Sequence, residues 1–418
     1  MIYLDHAAAT PVDKRVLEAM KLYFNSEFFN PSAAYLPAKK VSADYEAAKA
    51  TIAHAIGAKA SDLVITAGAT EANNLVFTSL TLDGSCRFSG RVLPVAVLPQ
   101  KCKHFWGSPS ATVTRPCNAT DNHHSSVLYL ETEHNSVREV AKQYGGQAMK
   151  VLPNGMIDLE DLRAKLTDGI ELVSVALVNN ELGVIQPLSE IAGILREVKL
   201  DRMRRGIKRQ LLLHSDASQA LNLLDINVAR LGVDLLTLNA AKVYGPKGVG
   251  ALYISHEARL NPLTVGGGQE NGLRSGTENV PGVIGFAKAV ELANEHLNGN
   301  RKKYATWRKT LLDELEGYEL INKKHTLDNF VVVSFPGLDA ERLIYLLEEK
   351  NVYVATGAAC AASKGVRSHV LSAIKLSEEQ IAGSLRITLG ETNDEEQIHE
   401  AARIINDVVA KERKRING

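Results

Sequence analysis

Two side chains suited to act together on a bound organic group, the acid Asp216 in LLLHSDASQA and the base Lys242 in DLLTLNAAKVYGPKG, each follow a short apolar run. The runs 211–213 and 235–238 are too short for helices and end in small or polar residues, the signature of buried strands. Open α/β sheets bind ligands beyond the carboxyl ends of their strands. A lysine placed there closes a Schiff base with a carbonyl, and a carboxylate pairs with a protonated pyridine nitrogen, so the pair suits pyridoxal phosphate (PLP). Taken alone, the same two residues fit an ordinary salt bridge between surface loops equally well.

Four more polar residues stand at equivalent strand ends: Thr70, His134, Asn180 and Gln219. In AGATEA, around Thr70, a strand, a small-residue turn and a helix start present backbone N–H groups to an anion, although many such turns bind nothing. A histidine after a strand is ordinarily a satisfied surface residue, and His134 in TEHNSV gains weight only from its place beside Asp216. Asn180 in VNNELGVIQPL follows another strand, where an amide meets a substrate or a cofactor hydroxyl. GGGQENG neither follows a strand nor opens a helix, which disfavours dinucleotide binding.

The elements that must position these residues follow from composition and periodicity. At 418 residues the chain is large enough for about two domains with ample core. Its 48 Lys+Arg balance 48 Asp+Glu, so nothing global points to nucleic acid or an acidic membrane. Four cysteines do not make a disulfide framework, no signal-peptide pattern precedes Tyr3, and no apolar run reaches membrane-spanning length, so a cytoplasmic setting is expected. Strands are read at 63–66, 127–131, 172–178, 211–214, 235–238 and 249–254, with helices at 159–166 and 188–198 and a long one near 280–296. That alternation predicts a mostly parallel sheet with helices on both faces. Beyond it the order helix, strand (329–335), helix (340–350), strand (384–389), helix suggests a smaller α+β domain. Thr392 and Glu395 are read as a capping box for the last helix.

Two stretches stand apart. Residues 82–124 carry Cys86, Cys102, Cys117, His104, His123 and His124 without a CxxC pair or any metal-ligand spacing, so they read as a peripheral insertion and no metal site is expected. KLDRMRRGIKR, at 199–209, reads as a solvated basic loop rather than a docking patch.

Ten motifs in order carry a resemblance: YLDHAAATPVD, NPSA, AGATEANNL, TEHNSV, VNNELGVIQPL, HSDASQA, KVYGPKGVGALYI, GGGQENGLRSGTEN, ATGAACAAS and SLRITLG. Together they closely resemble the PLP-dependent cysteine desulfurases, in the branch that supplies sulfur for iron-sulfur cluster assembly and tRNA thiolation. The resemblance spans nearly the whole chain except 82–124 and 199–209. It implies the α/β fold of PLP-dependent transferases of fold type I: a large cofactor-binding domain over 15–298, and a small domain of 1–14 with 299–418 that carries the cysteine loop. It further implies that Lys242 holds PLP covalently, Asp216 pairs with the pyridine nitrogen and Gln219 meets the ring hydroxyl. His134 would stack on the ring and shuttle protons, Ala69 and Thr70 would hold the phosphate, and Thr277 would reach the phosphate site of the neighbouring subunit of a homodimer. Asn180 and Arg386 would orient L-cysteine, Arg386 by a forked pair to its carboxylate. Cys360 would take the sulfur as a persulfide, leaving L-alanine, and pass it to an acceptor or iron-sulfur scaffold protein; a lone cysteine is otherwise ordinarily buried and inert.

The chain departs from the family at three places. Asn239-Ala240-Ala241 stands where serine, glycine and histidine usually precede the lysine; Asn239 can still donate to the phosphate but Ala241 cannot, so weaker PLP retention is expected. Tyr35 stands where a histidine is common, and the tail that docks a scaffold protein in this branch is expected to be short. A sibling PLP lyase such as a selenocysteine lyase, and a homologue that keeps the fold as a non-catalytic partner, are the alternatives.

Overall fold

In the computed structural model, residues 1–81, 126–356 and 367–417 are described. The insertion 82–124 and Cys360 lie outside the described residues. The first part of the chain runs β1 (Ile2–Tyr3), α1 (Lys14–Asn25), α2 (Leu36–Ala55), β2 (Leu63–Thr66), α3 (Ala69–Thr81), β3 (Val127–Leu130), α4 (Asn135–Gln143), β4 (Gln147–Met149) and α5 (Leu159–Lys165). It continues with β5 (Leu172–Ser174), α6 (Leu188–Arg204), β6 (Leu212–Asp216), α7 (Val228–Leu231), β7 (Leu235–Asn239), β8 (Gly250–Ile254) and α8 (Val280–Glu314). The remainder is β9 (Glu319–Leu320), β10 (Phe330–Ser334), α9 (Ala340–Glu348), β11 (Val352–Tyr353), β12 (Ala355–Thr356), α10 (His369–Ala373), α11 (Glu378–Ala382), β13 (Ser384–Thr388) and α12 (Glu395–Asn417).

Seven strands form the large sheet in the order β2-β8-β7-β6-β5-β3-β4, parallel throughout except for β8, which is antiparallel to both neighbours. Successive side chains of a strand point to opposite faces, and both faces are buried. Val173, Leu213 and Leu236 pack with α6 and α8 on one side, and Leu172, Leu212 and Leu235 pack with α3 and α4 on the other. A sheet covered on both sides explains why its strands read as apolar runs rather than as alternation. The smaller part has the antiparallel sheet β12-β13-β10-β9. The N-terminal segment joins it: β1 pairs with β11, and Asp5 bridges to Thr388.

Several elements differ from their sequence reading. β5 ends at Ser174 rather than at 178, because Val178 turns back to bridge Ile185. α6 continues to Arg204, so much of the supposed basic loop is helix. Arg202 there is buried, its guanidinium donating to the carbonyls of Thr167 and Ile170, and Arg205 pairs with Asp168 and Asp201. α8 runs past 296 to Glu314, through the expected domain boundary at 298/299, and links the two sheets. α12 is capped by Asp394, which accepts from the Gln397 N–H, whereas the Thr392 hydroxyl lies 3.3 Å from His6 Nε2.

Candidate active site

Asp216 and Lys242 both sit at the carboxyl edge of the large sheet. β6 ends in Asp216, and β7 ends in Asn239, whose Oδ1 accepts from the Ala241 N–H at 3.2 Å and so caps a single 3-10 turn, Ala240–Lys242. Tyr244, two residues on, has φ +61°, and its N–H donates to Thr10 Oγ1 at 2.9 Å. That tight reversal aims Lys242 at the N-terminal segment, where Nζ donates to the carbonyls of Ala7 at 2.7 Å and Ala8 at 2.5 Å. Gln219 Nε2 donates to the same Ala7 carbonyl at 3.0 Å, so the expected ring-hydroxyl contact and the expected covalent lysine meet at one backbone oxygen.

Asp216 is connected to His134 through residues not singled out in the sequence. Its Oδ2 accepts from Asn73 Nδ2 at 2.8 Å, its Oδ1 from the Ser218 N–H at 2.9 Å, and Asn73 Nδ2 also reaches Ser136 Oγ at 2.9 Å. His134 caps α4 through Nδ1, which accepts from the Ser136 N–H at 3.1 Å, placing the neutral ring's proton on Nε2. The residue is exposed to solvent. The protein packed around it lowers its pKa; the negative Asp216 opposes that effect and the positive Lys242 adds to it. Behind Asp216 the fully buried His214 bonds Ser174 and Thr237, and burial lowers it to about 4.

The residues expected to hold a phosphate stand at the start of α3. Gly68 has φ +140°, a conformation that only glycine adopts freely, and Ala69 and Thr70 open the helix with the Thr70 side chain exposed. Register brings this turn beside the lysine turn, since Gly250 of β8 faces Thr66 on one side and Asn239 on the other. A Cβ on Gly250 would lie 2.6 Å from the Leu238 carbonyl and 2.8 Å from Gly68 Cα, so the three backbones approach as closely as they do only because position 250 is glycine. Glu71, in the first turn of α3, accepts from Arg274 Nε at 2.8 Å, which holds the loop that ends in the exposed Thr277.

Arg386, on β13, is 3% exposed; its Nη2 donates to Asp5 Oδ1 at 2.6 Å, its Nη1 to the Asn180 carbonyl at 2.9 Å, and its buried Nε has no hydrogen-bond partner among the described residues. The two residues expected to orient a substrate are thus joined, but a carboxylate of the chain already takes one prong of the fork.

PLP fits this donor set. Thr70, the α3 amide edge and the Asn239 amide would supply phosphate donors, Gly68 leaves open space above its Cα, Asp216 offers a carboxylate, and among the described residues Arg386 keeps an unused buried N–H. A groove of about 600 Å³ lies between α9 and α12, and several of its lining charges pair with one another, Arg403 with Glu400 and Asp407, and Arg415 with Glu412. It holds no convergent reactive groups.

Two buried acids escaped the sequence reading although each adjoins a residue that did not. Glu133, next to His134, is held up at about 8 by burial and by the Asp216 charge. Glu181, next to Asn180, is held up at about 7 by burial, against a 2.5 Å bond from Ser368 Oγ and the pull of Arg386. Both therefore carry a proton in the folded chain that an unfolded glutamate releases above about 4.5. Their contribution to stability is present at low pH and is lost as pH rises through about 7 and 8. Glu181→Gln is expected to flatten this alkaline decline in urea midpoints measured from pH 5 to 9; an unchanged slope would show that Glu181 is ionised in the fold.

The sequence matches the family described as Aminotransferase class-V over residues 2–86 and 111–400, and the unmatched stretch falls inside the 82–124 insertion. It is 34% identical to cysteine desulfurase IscS of Methanosarcina thermophila over 98% of this chain and 92% of that protein. It is 33% identical to cysteine desulfurase IscS of Dictyoglomus turgidum over 98% and 95%. Among solved structures, a NifS-like protein superposes with a TM-score of 0.81 at 28% identity, covering 98% of this chain and 99% of that one. SspA in complex with cysteine superposes at 0.74 and 29% identity, covering 93% and 99%.

Proposed function

The chain belongs to the class-V aminotransferase family, among its cysteine desulfurases, and from that premise we propose that it converts L-cysteine to L-alanine and takes up the sulfur, with PLP as cofactor. The observation that carries this reading is the meeting of Lys242 with Asp216 and His134 at one sheet edge, faced by Arg386 from the smaller sheet. PLP, when bound, supplies the electron sink that makes the substrate's Cα–H acidic.

The chain's own residues do the rest. Lys242 Nζ holds the cofactor and then moves the Cα proton. Asp216 keeps a proton on the pyridine nitrogen, and His134, neutral near pH 7, covers the ring and hands on protons at Nε2. Gln219 meets the ring hydroxyl; Ala69, Thr70 and Asn239 donate to the phosphate, and Thr277 does so for the partner subunit of a homodimer. Arg386 binds the substrate carboxylate, for which it must share or exchange its Asp5 contact, and Asn180 orients the amino acid. Cys360 Sγ takes the substrate sulfur as a persulfide, for delivery to an acceptor protein in iron-sulfur cluster assembly or tRNA thiolation in the cytoplasm.

The test is to load the protein with PLP, record its visible spectrum, add L-cysteine with a thiol reductant, and measure alanine and sulfide. No visible band and no alanine would sink the reading. Cys360→Ser is expected to keep the band and lose sulfur transfer; a variant with full sulfide release refutes the persulfide role.

Ala241 bears on cofactor retention. Its side chain brings no donor, and Asn239 Oδ1 is already engaged by the Ala241 N–H, which leaves only the amide nitrogen for a phosphate. Ala241→His, which adds one charge-assisted hydrogen bond, is expected to tighten PLP about tenfold by equilibrium titration. An unchanged dissociation constant would show that this gap costs nothing.

A further inference from the structure

Past the last backbone pair of β3 with β5, Tyr129 with Ser174, the two segments part from one another and are rejoined by side chains pointing in opposite directions. Glu133 Oε1 accepts from the Ala176 N–H at 2.7 Å, and Asn179 Nδ2 donates to the Thr132 carbonyl at 2.8 Å. Thr132, Glu133 and Asn179 are 2%, 0% and 4% exposed, so both bonds are shielded from water. Each is therefore expensive to leave unmade. Asn179 also folds its own turn, its Oδ1 accepting from the N–H groups of Glu181 at 2.9 Å and Leu182 at 2.8 Å.

Each end of this clasp abuts a site residue: His134 follows Glu133, and Asn180 follows Asn179. We propose that Glu133 and Asn179 are positioning residues, a reciprocal clasp that fixes His134 and Asn180 relative to one another at the candidate site. The inference rests on the desulfurase reading for what those two residues touch, but the clasp itself is a property of the protein chain. Glu133 Oε2 has no partner among the described residues and the carboxyl is held neutral, so the strut acts as an uncharged acceptor. Glutamine supplies the same acceptor, and leucine, similar in size, does not.

The clasp is tested first without turnover, by NMR titration of the His134 imidazole in the full-length protein free of PLP. Wild type and Glu133→Gln are expected to share a depressed pKa. Glu133→Leu, or Glu133→Asp where the leucine variant does not fold, is expected to return it toward the ordinary histidine value as the turn loosens. In the PLP-loaded enzyme, Glu133→Leu is expected to lower kcat about 10–100-fold with KM little changed. Asn179→Asp keeps the Oδ1 acceptor but sets an oxygen against the Thr132 carbonyl, and is expected to raise KM for L-cysteine about tenfold with kcat little changed. Folded variants that lose thermal stability while keeping the His134 titration, kcat and KM of the wild type would overturn the proposal. A wild-type protein without turnover would instead overturn the desulfurase reading, and the titration would still decide for or against the clasp.

Discussion

Lys242→Ala is expected to lower L-cysteine turnover about 10²–10⁴-fold, the range that a positioned acid-base group supplies, and to abolish the covalent cofactor band. Folding should survive. The lost Nζ bonds end on two carbonyls, of which Ala7 keeps its Gln219 donor and Ala8 is exposed and takes water. Such a change falls within about 1 kcal/mol of neutrality. Measured together, single-turnover alanine formation and urea unfolding separate the two effects. A Lys242→Ala protein with wild-type alanine release would remove the lysine from the chemistry, whatever its spectrum.

The second large effect is on stability. Glu270 enters the interior from a loop with positive φ at Glu270 and Asn271, and its carboxylate gathers three donors: Tyr45 Oη at 2.5 Å, Lys49 Nζ at 3.0 Å and the Ile65 N–H at 2.8 Å. Among the described residues Ile65 belongs to the edge strand of the large sheet, so Glu270 satisfies an N–H that no further described strand reaches. The side chains of Lys49 and Glu270 are 6% and 5% exposed. Removing one partner of such a pair leaves an uncompensated buried charge, and Glu270→Leu is expected to cost about 3–5 kcal/mol in urea unfolding. Adding Lys49→Met should recover much of it, because replacing both charges removes the burden of each. A single variant as stable as wild type would mean that Lys49 escapes to solvent.

How much of the site was legible depended on how far apart the interacting residues lie. Asp216 and Lys242 could be placed at strand ends because a short apolar run and its polar terminus are local signals. Asn73 could not be assigned to Asp216, although it lies one helical turn past Thr70, because the contact joins residues 143 apart and nothing local marks which polar face of α3 meets the sheet. Glu133 and Asn179 stood beside residues already singled out, but an acid that stays neutral looks in a sequence like any charged one. The misread basic loop has a local cause: Asp201 and Arg205, an i,i+4 pair, favour a helix that the run of positive charge conceals. The supposed capping box failed because Asp394 competes for the same helix end and Thr392 is drawn to His6.

The segment from Asp5 to Thr10 is synthesised well before the residues it must meet. Its partners are Lys242, reached from Ala7 across 235 residues, and Arg386, reached from Asp5 across 381. Contacts of such separation form only after the intervening chain has condensed. β1 likewise waits for β11. A nascent chain halted before β13 therefore lacks Arg386 for Asp5, and one halted before β7 lacks Lys242 for Ala7.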